Sequence, residues 1–352
     1  MRPIHFAAAA ILFLPPPTRV SAQTERHTIS SERVAIYNLA GVLRIEASSG
    51  RDVVVEVTRG GSDAGRLRIE KGPIGSVETL RVIYPDDRVV YPELERGSRT
   101  TVNVRDDGTW GDGESDNRRE GRNRVEIRGS GTGLEAYADL RVLVPRGQRI
   151  AVHNAVGEAR VTNVDGDLTV DVASADVTAE HTRGRLLLDT GSGSVTVSDA
   201  QGDVNLDTGS GGVTINGVKG ETLRMDTGSG SIRGGDIDVA ELNADVGSGG
   251  VRLARVRAPR VEIDAGSGGT ELELLGTVER LTIDAGSGGV TVRLPANVGA
   301  EIDVETGSGG IDTDFQVQLN RFERRHMVGK IGDGRGRIRI ESGSGHVRLL
   351  KG

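Results

Sequence analysis

From Leu186 onward, apolar and polar residues alternate in runs of four or five, and the runs are separated by one recurring tripeptide. An acidic residue, one small or β-branched residue and then Gly-Ser-Gly begin at Asp189, Asp207, Asp226, Asp245, Asp264, Asp284, Glu305 and Glu341, in steps of 18, 19, 19, 19, 20, 21 and 36 residues. One and three positions before the acid the residue is apolar, as in Leu186 and Leu188 or Val261 and Ile263. Two positions before it the residue varies freely, from Asn205 to Arg224 to Glu262. This period of two is that of a half-buried strand, with the acid on the wet side and the next residue (Thr190, Thr208, Thr227, Val246, Ala265, Ala285) turned inward. Six and usually eight positions after the acid apolar residues return, as in Val195 and Val197 or Val290 and Val292. One repeat therefore reads as strand, Gly-Ser-Gly corner, strand and a looser turn holding Gly202 or Gly220. The two corner glycines are expected to supply backbone angles that a side chain would block.

A regular period this short predicts a wound chain rather than one folded around a single core. The expected fold is all-β: a single-stranded parallel β-solenoid (β-helix) with 18–21 residues per rung, stacked at ~4.8 Å. Its repeats run over 147–352 with an interruption at 315–337. A β-rich N-terminal cap or irregular first rungs precede them over 23–146. Degenerate copies appear at Asp171-Val172-Ala173-Ser174-Ala175, with alanine for both glycines, and at His153 to Gly157, where only the second glycine survives. Within the cap, residues 97–133 are polar, glycine-rich and heavily charged. Their composition predicts a flexible insertion, with the only tryptophan, Trp110, inside it. The 36-residue step hides either a rung without the motif or a rung plus a protruding loop.

Composition agrees with a narrow core. Glycine accounts for 52 residues and aromatics for 3%, too few to fill a wide globular interior, whereas a column of small and β-branched residues needs none. Cysteine is absent, which excludes disulfides, thiolate nucleophiles and Cys-ligated metals. Residues 1–22 read as a signal peptide: Arg2, an apolar run from Phe6 to Leu14, Pro15-Pro16-Pro17, then Val20-Ser21-Ala22 before the cut. The net charge of −7 becomes −9 once Arg2 and Arg19 leave with it, an acidic balance that argues against nucleic acid as a partner. The mature chain holds no other segment able to cross a membrane. It is expected in the periplasm, at the cell surface or secreted.

Three groups of residues could carry chemistry. The first is the acidic column Asp189, Asp207, Asp226, Asp245, Asp264 and Asp284. Carboxylates ~5 Å apart repel by roughly 1 kcal/mol per pair in water, so something should offset them. Each acid could accept hydrogen bonds from the amides of its own corner. Alternatively, Ca²⁺ could sit between rungs. The calcium-binding β-roll orders its repeat as glycines first and acid last, over nine residues, unlike this one, and corner capping is the expectation. The second group is the serine column. A nucleophile needs a base in reach and is not copied eight times, and His153, His181, His326 and His346 take different rung positions. A hydroxyl ladder satisfying corner backbone groups fits better. The third is Arg321, Arg324, Arg325, His326 and Lys330 within the interruption. They are either a basic projection toward an anionic polymer or lipid headgroups, or a solvated turn on an acidic body. A carbohydrate-active enzyme would need a cleft with paired carboxylates and stacking aromatics, and Phe315 is the only aromatic between Ala138 and Phe322.

The chain resembles a bacterial family of exported β-strand-repeat proteins regarded as adhesins, a domain of unknown function. The resemblance rests on Val53-Val54-Val55-Glu56-Val57, on Val144-Pro145-Arg146-Gly147 entering the first rung, on the D-x-G-S-G-x-V rungs, and on Gly332-Asp333-Gly334 followed by Ile338 to Leu349. It covers nearly all of the mature chain. It implies a β-solenoid in the cell envelope and supplies no catalytic residues. The expectation is a non-enzymatic module that meets an envelope or surface ligand, a protein or an anionic polymer, without a cofactor. A calcium-stiffened repeat protein and a carbohydrate-active enzyme are the alternatives.

Overall fold

The computed structural model describes residues 24–111 and 122–352. The expected leader at 1–22 lies outside them. The described residues are all-β apart from one 3-10 turn at Ala64–Arg66, and their strands form a long, mostly parallel sheet system plus a small four-stranded sheet.

The acid-bearing strands stack in parallel with like positions facing. Leu186–Thr190 pairs Val204–Thr208, which pairs Lys219–Thr227, and the series continues through Arg260–Ala265 to Arg280–Ala285. The strands after the corner stack in the same way, from Ala159–Thr162 through Val195–Ser198 to Val290–Leu294. Between the two files lies a column of valine, isoleucine and leucine. Val197, Leu206, Ile215, Leu223 and Leu242 are all fully buried. Each such side chain contributes roughly 1.5–3 kcal/mol of burial, so a core one residue wide suffices.

Chain order and stacking order part company at both ends. Gly336–Ser342 lies between Arg280–Ala285 on one side and Ala300–Thr306 on the other. Val347–Lys351 is likewise held between Val290–Leu294 and Ile311–Thr313. The last repeat is thus inserted one layer inside its predecessor. At the other end Arg33–Ala40 lies between Val77–Ile83 and Gln148–Val156, and Leu43–Ser48 between Tyr137–Pro145 and Ala159–Thr162. Antiparallel strands then close the edges: Thr24–Ile29 on Val53–Gly60, Arg68–Ile74 on Val77–Ile83, and the hairpin Val317–Glu323/His326–Ile331 on Ala300–Thr306. The 36-residue step therefore contains a closing hairpin. The outermost strands carry charge and, at Pro73, a proline, which discourages further pairing.

The insertion expected at 97–133 is ordered where it is described. Arg99–Arg105 and Arg122–Arg128 pair antiparallel, and the latter pairs Arg88–Val90, itself joined to Leu134–Glu135. Trp110, expected in a flexible loop, is 4% exposed, and its indole N–H donates to Asn38 O at 3.1 Å. Residues 112–121, the most polar part of the expected insertion, lie outside the described residues. Val89, Val102, Val125 and Ile127 form an inner face that packs with Trp110, Tyr91 and Leu39.

The corner glycines are needed for a different reason than their backbone angles. None of the Gly-Ser-Gly glycines occupies the left-handed region. A Cβ at Gly209 would instead lie 2.5 Å from Gly191 O of the adjoining layer, and one at Gly211 would overlap Gly193 O outright. Left-handed residues gather at the second turn, where Asn163, His181, Asp199 and Gly217 stand in successive layers at φ 59, 54, 55 and 70°.

Candidate functional site

The six predicted aspartates stand in one file, each facing the next across a parallel pair: Asp189, Asp207, Asp226, Asp245, Asp264 and Asp284. The file is longer than the motif count suggests. Asp171 precedes it, and beyond Asp284 it continues through Glu341 and then Glu305, in the reverse of chain order. Both ends meet histidine. His153 faces Asp171, its Nδ1 2.9 Å from Asp171 Oδ2, and stacks flat on Tyr37 at 4.5 Å. His326 faces Glu305 and places Nε2 2.8 Å from Asp303 Oδ1.

Within the file the like charges act on one another. Asp226 is pushed above the usual carboxylate range first by partial burial and then by Asp207 and Asp245. Burial, then Asp245, Asp284 and Glu262, push Asp264 the same way. The outer columns hold the compensating pairs. Arg252 is bidentate to Glu271 at 2.9 and 2.8 Å, and Arg255 to Asp236 at 2.7 and 2.5 Å. These arginines hold Glu271 and Asp236 below the usual range. Within the file itself Arg339 bonds Glu341.

Capping of the corner, expected of the acid, is carried by its inward neighbour. Thr208 Oγ1 accepts from Gly211 N–H at 3.1 Å and donates to Gly193 O of the adjoining layer at 2.9 Å. Thr227 repeats this with Gly230 N–H and Gly211 O, Thr306 with Gly309 N–H and Gly345 O, and Ser342 with Gly345 N–H and Gly288 O. At the N-terminal end asparagine takes over, with Asn154 Nδ2 donating to Gly41 O at 2.9 Å. A buried hydroxyl one covalent step from the corner reaches its amide directly, whereas the outward carboxylate faces away from it. The signal is present in the sequence as a hydroxyl residue at five of the eight inward positions, Thr190, Thr208, Thr227, Thr306 and Ser342, the other three being valine or alanine.

The serine column lies exposed and makes long bonds: Ser210 Oγ to Ser192 Oγ at 3.4 Å, Ser248 Oγ to Gly228 O at 3.4 Å, and Ser344 Oγ to Ser287 O at 3.3 Å. These are at the weak end for O–H···O contacts. The hydroxyl ladder is present but contributes little. Among the described hydrogen bonds none joins a histidine to a corner serine; His181, His326 and His346 all pair aspartates instead.

The five basic residues of the interruption do not form one cluster. Arg321 is bonded to Glu323 at 2.9 and 2.7 Å, His326 to Asp303, and Lys330 faces Glu301 across the strand pair. Arg324 and Arg325 make the turn of the closing hairpin and carry no ion pair among the described residues. Among the described residues no group of three or more His, Asp or Glu is arranged to hold a metal, and no helix is long and apolar enough to cross a membrane.

The chain is similar to two solved structures. A candidate cell adhesion protein from Clostridium sporogenes aligns over 94% of this chain and 99% of its own, at 10% identity and a TM-score of 0.19. A candidate adhesin from Parabacteroides distasonis aligns over 93% and 96%, at 13% identity and a TM-score of 0.42. Values this low leave the function to be argued from this chain's own residues. No curated protein matches it. The family model Toastrack DUF4097, a domain of unknown function, matches residues 140–350, which include every copy of the acidic corner motif, and the chain belongs to that family.

Proposed function

We propose that this chain is an exported β-solenoid of 18–21 residues per rung that works without catalysis, as an adhesin-like or structural module of the cell envelope. The observation that carries this reading is the file of nine carboxylates from Asp171 to Glu305. Such a file repeats one group along a rigid face and does not converge different groups on a point, as catalysis requires. The leader read at 1–22 supports export to the periplasm, the cell surface or the medium. The ligand would be an envelope protein or an anionic polymer, the latter met by Arg324 and Arg325.

The test is capture of cell-envelope fractions by residues 23–352, with and without Ca²⁺. A chain with Asp207, Asp226, Asp245 and Asp264 changed to Asn, and another with Arg324 and Arg325 changed to Ser, serve as comparisons. Capture lost in either variant supports the reading. No capture, or capture indifferent to both variants, would remove it.

A calcium-stiffened file is the second reading, favoured by the raised Asp226 and Asp264, whose repulsion a divalent ion would relieve. Ca²⁺ takes six to eight oxygens, and a single file offers one carboxylate per layer, so water would have to supply most of the shell. This reading requires that EDTA lower the melting temperature and that Asp245→Asn reproduce the effect. An unchanged melting temperature in both would end it.

A further inference from the structure

A cavity of about 680 Å³ opens where the segment after Arg88–Val90 meets the first layers of the stack. Its walls bring together Tyr91, Glu93, Tyr137, Asp139, Glu158 and Asp176, and no lysine, arginine or histidine lines it. The four carboxylates are only lightly engaged. Asp139 accepts Val42 N–H at 2.8 Å, Asp176 accepts Ser194 N–H at 2.8 Å, and Glu158 meets the exposed Arg160 at 3.0 Å. Glu93 has no partner among the described residues.

Tyr91 is the second, independent observation. It is 2% exposed, yet its hydroxyl has no hydrogen-bond partner among the described residues. The hydroxyl oxygen is not among the buried atoms left without a partner, so it opens to the cavity and is available to a ligand there. Its ring packs edge-on to Tyr137 at 5.2 Å. Burial first, then Asp139, Glu93 and Tyr137, push the Tyr91 phenol up, so the hydroxyl stands in the field of the same carboxylates.

We propose that this cavity binds a primary ammonium on an apolar stem, either a free diamine or a lysine side chain. The carboxylates supply the counter-charge, the Tyr91 oxygen accepts a hydrogen bond from the ammonium, and the tyrosine rings cover the methylene stem. A cavity of this size lies within the range of small-ligand sites. Ring faces attract cations, and a lysine-like stem packs along apolar surface while its head stays with the charge. Anionic ligands are disfavoured by four carboxylates of which only Glu158 meets a base, the exposed Arg160. The inference is independent of the acidic file, since none of its nine members lines the cavity.

Calorimetric titration of the mature chain with cadaverine, with Nα-acetyl-lysine methylamide and with 1-pentanol tests it. Both ammonium compounds should bind and pentanol should not. Glu93→Gln and Tyr91→Phe should each weaken binding about tenfold, one partner's worth of a charged hydrogen bond, while melting like the parent chain. Tighter binding of cadaverine points to a free amine, and tighter binding of the capped lysine to a protein partner. Should either variant fail to fold, a tyrosine difference spectrum of the parent chain on adding cadaverine replaces it and must saturate. No saturable binding of either ammonium compound by about 10 mM, equal binding of pentanol, or affinities unmoved by both substitutions would overturn the proposal.

Discussion

The repeats between Gly166 and Lys351 are held by one small set of contacts copied from layer to layer, whereas the segments before Pro145 are held by contacts that each occur once. In the repeats the set is a valine or leucine column, a corner without side chains, and a hydroxyl that ties the corner to the adjoining layer. In the N-terminal part, buried Asn38 donates to Ala40 O, Ala138 O and Asn154 Oδ1, and Tyr84 donates to Asn38 Oδ1. Trp110 closes the group through Asn38 O. All four tyrosines and the tryptophan fall in this part, between residues 37 and 137. Even the glycines differ. Gly41 and Gly61 sit at φ 135 and 92°, but the Gly-Ser-Gly corner glycines of the repeats avoid that region. A fault in a copied corner meets backbone of the adjoining layer, whereas a fault in the unique network strips side-chain hydrogen bonds, so the two regions should respond differently to damage.

The comparison breaks most sharply at Gly211. A Cβ there overlaps the backbone oxygen of Gly193, and no rotamer can move it aside. Gly211→Ala should cost about 3 kcal/mol or more, the range of strain and overpacking faults, whereas Ser210→Ala beside it should be nearly silent. Urea denaturation of the two variants reads the difference. Equal midpoints would mean that the corner opens without cost, and the layer spacing would then not be what selects glycine.

Asn38→Leu is the matching fault in the N-terminal part. It strips the acceptor from Tyr84 and the donor from three oxygens. The expected loss is about 2–3 kcal/mol, the cost of leaving such groups buried and unmet. It should also release Trp110 fluorescence toward the solvent-exposed wavelength. A fluorescence change without loss of stability would indicate that the small sheet is anchored by its apolar face alone.

These two residues also mark how far the sequence could be read. The alternation, the corners and the family were legible because each signal was repeated eight times. Asn38, Asn154 and Trp110 were not, since nothing local says that residues 116 and 72 positions apart in sequence share one buried network. For the same reason the cavity around Tyr91 had no motif: its six named walls come from positions 91 to 176. The acidic file was legible in composition but not in length or order, because the inserted last repeat places Glu341 before Glu305. Carboxylates are good acceptors, so the sequence alone favours the acid as the cap. Burial assigns that role to the inward threonine.

Smaller effects sharpen the comparison within the repeats. Thr208→Val removes one copy of the corner tie and should cost about 1 kcal/mol. Thr270 has a buried hydroxyl with no partner and sits where Val251 and Val290 occupy the flanking layers. Thr270→Val should therefore stabilise by about 1 kcal/mol. Melting curves that moved in the same direction for both would mean that threonine is tolerated in this core for its shape rather than its hydroxyl.

The smallest effect concerns pH. Asp226 has a folded-state pKa above its unfolded value, so between those values the folded chain binds more protons than the unfolded one. Its contribution is favourable while it is protonated and is lost as pH rises through the folded value, leaving a penalty at neutral pH. Asp236 and Glu271 have the opposite sign. Their pairing with Arg255 and Arg252 stabilises above the unfolded carboxylate range and is lost as pH falls through their depressed values. Melting temperature should therefore rise modestly from pH 7 down toward the upper carboxylate range and fall below it. Asp226→Asn removes its share of the first limb, leaving that of Asp264, and keeps the second. It should raise the melting temperature at pH 7 and flatten the rise, and added salt should narrow the gap between variant and parent by screening the file. A variant less stable than the parent at pH 7 would mean that the carboxylate is held by something stronger than its neighbours' repulsion, which is the condition a bridging cation would create.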